Sequence, residues 1–148
     1  MSHDDRAADS SAPDEIEITI PNRAEYVGVA RLAILGVASR MAFSYDEVED
    51  IRLAVAEACT RSIEQPNGHQ PPAEPIRLRC LIDPRRLVIE VRSPIRGNGS
   101  DEAAKDRPVL EGGDLSGVLI RILMDTVDVE ERPAEGVHLL RMVKNVAH

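Results

Sequence analysis

Two neighbouring segments alternate between apolar and charged side chains, and this alternation restricts the possible folds most. Residues 76–82 place an apolar side chain at every second position, with Arg77 and Arg79 between them. The turn sequence Asp83-Pro84-Arg85 follows, and residues 87–92 then alternate again. This pattern predicts two antiparallel strands in a sheet with one face toward the core and the other toward water. The fold must therefore cover one face of this sheet.

Two helices are predicted before this hairpin. Apolar residues recur with helical spacing over residues 24–41, although Gly36 weakens the helix and permits close packing. Ser44 and Glu47 have the spacing of a capping box, in which each residue bonds to the backbone N–H of the other. A second helix is therefore predicted to begin after Ser44 and to end near Glu64.

The order of the remaining elements indicates the fold class. They are a first strand at 15–20 on a sheet edge, a loop at 94–113, a helix at 114–124, and strands at 126–130 and 136–143. The order is β-α-α-β-β-loop-α-β-β, which keeps helices apart from antiparallel strand pairs. We predict an α+β fold, a two-layer α/β sandwich. About three helices cover one face of a mixed, mostly antiparallel sheet.

Length and composition set the domain organisation. A chain of 148 residues is long enough for one domain with a core and too short for two. Residues 1–14 are predicted to be a flexible acidic tail, and residues 15–146 a single domain. With two Tyr, one Phe and no Trp, the core of this domain must be aliphatic.

Charge and cysteine usage exclude several classes of function. A net charge of -8 argues against direct binding to nucleic acid. No apolar run approaches the roughly 18 residues that span a bilayer, and the polar N-terminus is unlike a signal peptide, so we predict a cytoplasmic protein without membrane association. Cys59 and Cys80 lack metal-ligand spacing and are interpreted as buried thiols in a reducing compartment. No metal ligand is predicted.

Glu57 is the residue that we connect to chemistry. It lies beside the apolar stripe of the second helix, and Arg61 follows one turn later. From the residues alone, the simpler interpretation is an exposed ion pair between them, worth about 0.3 to 0.5 kcal/mol. The alternative is that Glu57 acts as a general base.

A specific pattern extends from the first helix through the second. Its parts include Ala38-Ser39-Arg40-Met41, Glu49-Asp50-Ile51 and Glu57-Ala58-Cys59-Thr60, and it continues in the segment from Asp114 to Glu130. This pattern resembles the anti-sigma regulatory factors of the RsbW and SpoIIAB type, which are serine protein kinases of the GHKL ATPase superfamily. The resemblance covers roughly residues 16–144. It implies a Bergerat, or GHKL ATPase-like, fold in which residues 94–113 form an ATP-lid-like loop.

The resemblance also assigns roles within an ATP site. The family's catalytic glutamate, the base toward the attacking hydroxyl, corresponds to Glu57, and the asparagine that holds Mg²⁺ four residues later corresponds to Arg61. A guanidinium has only donors, so it cannot ligate a cation. The adenine-binding aspartate corresponds to Ser93, and of the short glycine motif that follows only Gly97 remains.

Two further parts of the implied site differ from the family. The glycine box at a helix N-terminus corresponds to Asp114-Leu115-Ser116-Gly117, where the carboxylate of Asp114 would compete with phosphate. A threonine that supports adenine recognition corresponds to Val137. The implied catalytic residue is thus Glu57. The implied cofactor-binding residues are Arg61, Ser93, Gly97, Asp114, Ser116 and Gly117.

These residues imply a binding module rather than an enzyme. The first hypothesis is an anti-sigma factor that sequesters an RNA polymerase sigma factor and is released by an anti-anti-sigma partner, with weak or lost use of ATP and Mg²⁺. The alternative is an active serine protein kinase that phosphorylates a serine of an anti-anti-sigma (STAS-domain) protein with Mg-ATP. A regulatory domain with another partner is the third. The family further implies a homodimer that acts in a stress response.

Overall fold

A computed structural model describes residues 12–63, 74–95 and 115–147. Most of the predicted N-terminal tail and of the loop at 94–113 lies outside the described residues. Short 3-10 turns at Ala24–Tyr26 and Pro133–Glu135 accompany the regular elements. The helices are α1 (Val27–Ser39), α2 (Tyr45–Ile63) and α3 (Leu115–Leu123), and the strands are β1 (Asp14–Ile20), β2 (Ile76–Asp83), β3 (Arg86–Pro94), β4 (Thr126–Arg132) and β5 (Val137–Asn145).

The five strands form one sheet with the order β1-β2-β3-β5-β4. The predicted α+β class and the predicted edge position of β1 are confirmed. All four neighbouring pairs are antiparallel, so among the described strands no parallel pair makes this a mixed sheet. The physical reason is the path of the chain after β3. The crossover through α3 makes β4 parallel to β3, but β5 turns back and pairs between them.

The alternation in the hairpin separates a core face from an open face. Ile76, Leu78 and Cys80 are fully buried on the face that the helices cover, and Ile89 of β3 lies opposite Cys80. Tyr26 and Phe43 are only partly buried at the margin of this core, and Tyr45 is exposed. The predicted aliphatic core is thus confirmed. It is the surface against which α1 and α2 pack.

The open face of the sheet carries a row of ion pairs across four strands. Arg79 Nε lies 2.9 Å from Glu15 Oε2, and Arg79 Nη1 lies 3.2 Å from Glu90 Oε1. Arg141 Nε lies 3.6 Å from the second oxygen of Glu90. The hydrogen bond from Arg79 lowers the pKa of the Glu15 carboxyl below its ordinary value. Opposite charges on neighbouring strands therefore stabilise the face that the helices leave open.

The start of α2 has the predicted capping box. The Ser44 backbone N–H donates to Glu47 Oε1 at 2.8 Å, and the Glu47 backbone N–H donates to Ser44 Oγ at 3.1 Å. The prediction for Gly36 was wrong in one respect. It is exposed, and a Cβ added there would meet nothing within 4 Å. This glycine therefore permits no close packing among the described residues, because α1 turns that face toward solvent.

Candidate functional site

The helix layer brings two of the predicted site residues together, and a third lies on the sheet. Glu57 lies on the C-terminal half of α2, Ser116 lies on the first turn of α3, and Ser93 lies near the end of β3. The helix α2 packs between α1 and α3, so it brings the first and the last part of the domain together. Gly97 and Asp114 lie outside the described residues, and their assignments stay predictions.

Glu57 and Ser116 are in direct contact. The Ser116 hydroxyl donates a hydrogen bond to Glu57 Oε1 at 2.9 Å, and both residues are half-buried. Because the hydroxyl belongs to the first turn of α3, the carboxylate lies near the positive end of that helix. The contact joins two elements far apart in the chain. Its consequence is that the carboxylate that could act as a base already bonds to a hydroxyl of its own chain.

Arg61 follows Glu57 on the last turn of α2. A cation near a helix C-terminus interacts favourably with the helix dipole, so its place is compatible with a stabilising role. Its guanidinium cannot ligate Mg²⁺, because it offers only hydrogen-bond donors. In the part of the chain that the structure describes, no three His, Cys, Asp or Glu side chains are grouped to hold a metal ion. The residues at this end of α2 therefore do not fit a bound Mg²⁺.

A polar row crosses the sheet at the predicted adenine end of the site. Ser93 on β3 lies opposite His138 on β5, which lies opposite Glu131 on β4. His138 Nδ1 is 3.2 Å from Glu131 Oε2, and Ser93 is only 6% exposed. A deeply buried hydroxyl is poorly accessible to an adenine ring, and it lacks the charge of a carboxylate. The neighbouring Gly136, with φ 68, forms the turn that sets this register.

The contact between His138 and Glu131 was not predicted from the sequence. A tight turn at 133–136 joins β4 to β5, and the register that it sets places Glu131 and His138 opposite each other. The signal was therefore present in the spacing of these residues about the turn.

Gly117 is buried on the first turn of α3, next to Ser116. A buried glycine at this position allows the first turn of α3 to pack closely on the core.

Lys144 is a second residue that the sequence analysis missed. It is 8% exposed, and its ammonium donates to the Leu123 carbonyl at 2.6 Å and lies 3.4 Å from Asp50 Oδ2. Leu123 is the last residue of α3, so the ammonium satisfies a carbonyl that the helix itself cannot. A single lysine at the end of a strand pattern carries no signal for this contact.

The two cysteines are buried thiols without reactive character. Cys59 on α2 and Cys80 on β2 are both fully buried, and burial raises their pKa to about 12 and about 11 respectively. A thiol with so high a pKa holds almost no thiolate at neutral pH and is a poor nucleophile.

Within the described ranges no helix has both the length and the apolar character needed to cross a bilayer.

Comparison with known proteins shows which protein family and which relatives this chain is similar to. Residues 20–144 match the family described as Histidine kinase-like ATPase domain. The chain is 36% identical to the serine-protein kinase RsbW of Bacillus pumilus, over 79% of this chain and 78% of that protein. It is 34% identical to the serine-protein kinase RsbW of Bacillus subtilis, over 79% of this chain and 78% of that protein.

Solved structures show the same fold at low sequence identity. The RsbU and RsbW domains of a Mycobacterium tuberculosis protein match with a TM-score of 0.64 and 10% identity, over 88% of this chain and 32% of that one. The SiaB-SiaC complex of Pseudomonas aeruginosa matches with a TM-score of 0.60 and 11% identity, over 97% of both chains. At these identities the likeness concerns the fold alone.

Proposed function

We propose a function from the premise that this chain belongs to the histidine kinase-like ATPase domain family and is related to the RsbW serine-protein kinases. It is an anti-sigma regulatory factor that sequesters an RNA polymerase sigma factor and is released by an anti-anti-sigma partner. Use of ATP is weak or lost. The resemblance of the helical segments to anti-sigma factors supports the partner class, and the relatives' identity over most of the chain supports the family.

Arg61 is the observation that carries the loss of ATP use. It stands one turn after Glu57, where the resemblance implies the Mg²⁺ ligand, and it has no atom that accepts a cation. The buried Ser93 and the contact between Ser116 and Glu57 point the same way. We therefore assign no catalytic step to this site.

The alternative function is a serine protein kinase that phosphorylates a serine of an anti-anti-sigma (STAS-domain) protein. The relatives are serine-protein kinases by name, and this and the presence of Glu57 favour the kinase. In this alternative, Glu57 accepts the proton of the substrate hydroxyl and Mg-ATP supplies the phosphoryl group. The carboxylate must then leave Ser116, because a base must reach the proton that it removes.

The remaining parts of the proposal concern the whole protein. We propose a single domain over residues 15–146, a cytoplasmic location, a role in a stress response and assembly as a homodimer. Support for the homodimer comes from α1, where Val29 and Leu32 are 51% and 68% exposed on neighbouring turns. Light scattering on the purified chain tests it, since a monomeric mass at micromolar concentration contradicts the homodimer.

Titration calorimetry tests the use of ATP. We expect no binding of Mg-ATP tighter than the millimolar range, because the Mg²⁺ ligand is replaced by a cation. A complex with the cognate sigma factor should form equally well with and without Mg-ATP. A micromolar affinity that requires Mg²⁺, together with transfer of phosphate to the anti-anti-sigma protein, would favour the kinase instead. Failure to bind any sigma factor of the source cell contradicts the partner class.

A further inference from the structure

The helix α3 is joined to α2 by a polar contact at each end. At its first turn, the Ser116 hydroxyl donates to Glu57 Oε1 at 2.9 Å. At its last residue, the Leu123 carbonyl accepts a hydrogen bond of 2.6 Å from Lys144, whose ammonium also lies 3.4 Å from Asp50 Oδ2. Both acidic partners belong to α2.

The spacing of the two contacts matches between the helices. Asp50 and Glu57 lie two turns apart on α2, and Ser116 and Leu123 lie two turns apart on α3. At the helical rise both spans are about 10 Å. Two antiparallel helices can therefore meet both contacts without bending, and each contact helps to hold the geometry of the other.

The contact at the first turn also occupies the place where an anion would bind. Backbone N–H groups in the first turn of a helix have no partner within the helix, and the helix dipole favours negative charge there. The carboxylate of Glu57 already brings a negative charge to this end of α3, bonded through the Ser116 hydroxyl. A phosphate group would meet a like charge unless that carboxylate moved away.

We propose that the Ser116–Glu57 contact is an internal substitute for a bound phosphate, which holds α3 in its position on α2 without any nucleotide. Ser116 is a positioning residue that acts through Glu57. The position of α3 is then constant, and partner exchange is not gated by ATP. This inference deepens the proposed function, on which its regulatory meaning rests, while the contact itself belongs to the isolated chain.

Hydrogen exchange on the full chain, without any partner, tests the proposal. Ser116→Ala should speed exchange of the α3 amides about tenfold, because a hydrogen bond to a charged group is lost. Glu57→Ala should have the same effect, and the double variant should be no faster than either single one. Ser116→Thr keeps the hydroxyl and should exchange like the wild type. Ser39→Ala, which removes a hydroxyl that donates to the Leu35 carbonyl within α1, is the matched control.

The same measurement with added ligand shows whether α3 is held in position by the Ser116–Glu57 contact or by a bound phosphate group. Inorganic phosphate or Mg-ATP at millimolar concentration should leave α3 exchange in the wild type unchanged. Unchanged exchange in Ser116→Ala, additive effects of the two alanine variants, or a tenfold slowing by Mg-ATP in the wild type would each overturn the proposal. Failure to bind a sigma factor contradicts the proposed function and leaves these exchange results unaffected.

Discussion

Among single residues, Lys144 shows how a buried charge depends on its partners. It is almost fully buried, and it faces a carboxylate of α2 and the terminal carbonyl of α3. A buried ammonium is costly unless hydrogen bonds compensate for the lost water. Lys144 contacts one partner on each of two helices, so its substitution affects the packing of both. Ser116 has the corresponding position at the other end of α3, although its hydroxyl carries no charge.

Replacing Lys144 by Met should lower the free energy of unfolding by about 1 to 3 kcal/mol. Methionine keeps an unbranched apolar stem, but the Leu123 carbonyl and Asp50 lose their common donor, the ammonium group. Urea denaturation of the purified chain measures the change. Arg86→Met, at an exposed position on the same end of the sheet, should stay within about 0.5 kcal/mol. Equal stability of Lys144→Met and the wild type would mean that the contact contributes nothing.

Among elements, α2 determines most of the architecture. Its N-terminus is capped by Ser44 and Glu47, its apolar stripe packs on the sheet, and its polar side carries Asp50 and Glu57 toward α3. The cap was predicted because both of its partners lie within four residues of each other. The contacts of the polar side were not predicted, since they depend on where α3 packs.

Replacing Ser44 by Ala should destabilise the protein by about 0.5 to 2 kcal/mol, because the Glu47 backbone N–H loses its acceptor. Urea denaturation again provides the measurement. Ser39→Ala removes a hydroxyl from the last turn of α1, where it bonds to the Leu35 carbonyl, and should change stability by no more than about 0.5 kcal/mol. If both variants lose the same stability, the cap has no special role.

In the molecule as a whole, the net charge is -8, and several of the acidic side chains are paired with arginines. Arginine partners lower the pKa of Glu15, Glu49 and Glu130 below the ordinary value of 4.5 through hydrogen bonds. A carboxyl whose pKa is lower in the folded state binds fewer protons there than in the unfolded chain. Its contribution is therefore present above the unfolded pKa and disappears as the pH falls through the folded one.

Stability should consequently fall as the pH drops below 4.5, the ordinary value for these carboxyl groups. The urea midpoint between pH 5 and pH 3, two values spanning about that pKa, measures the fall. Glu15→Gln removes one paired acid and should make the dependence on pH shallower. A midpoint that rises steadily as the pH is lowered from about 5 to about 3 would refute the explanation by paired acids.

Local sequence patterns were enough to predict the elements, the covered face of the sheet, the aliphatic core and the cap of α2. Each is written in a local period or in a short spacing, so it can be read without knowing what packs against it. Two contacts emerge only from the packing of the folded chain, the hydrogen bond between Ser116 and Glu57 and the link that Lys144 makes between α3 and α2. Both contacts join residues far apart in the chain, and the depth and register of packing select them. No local pattern records that choice.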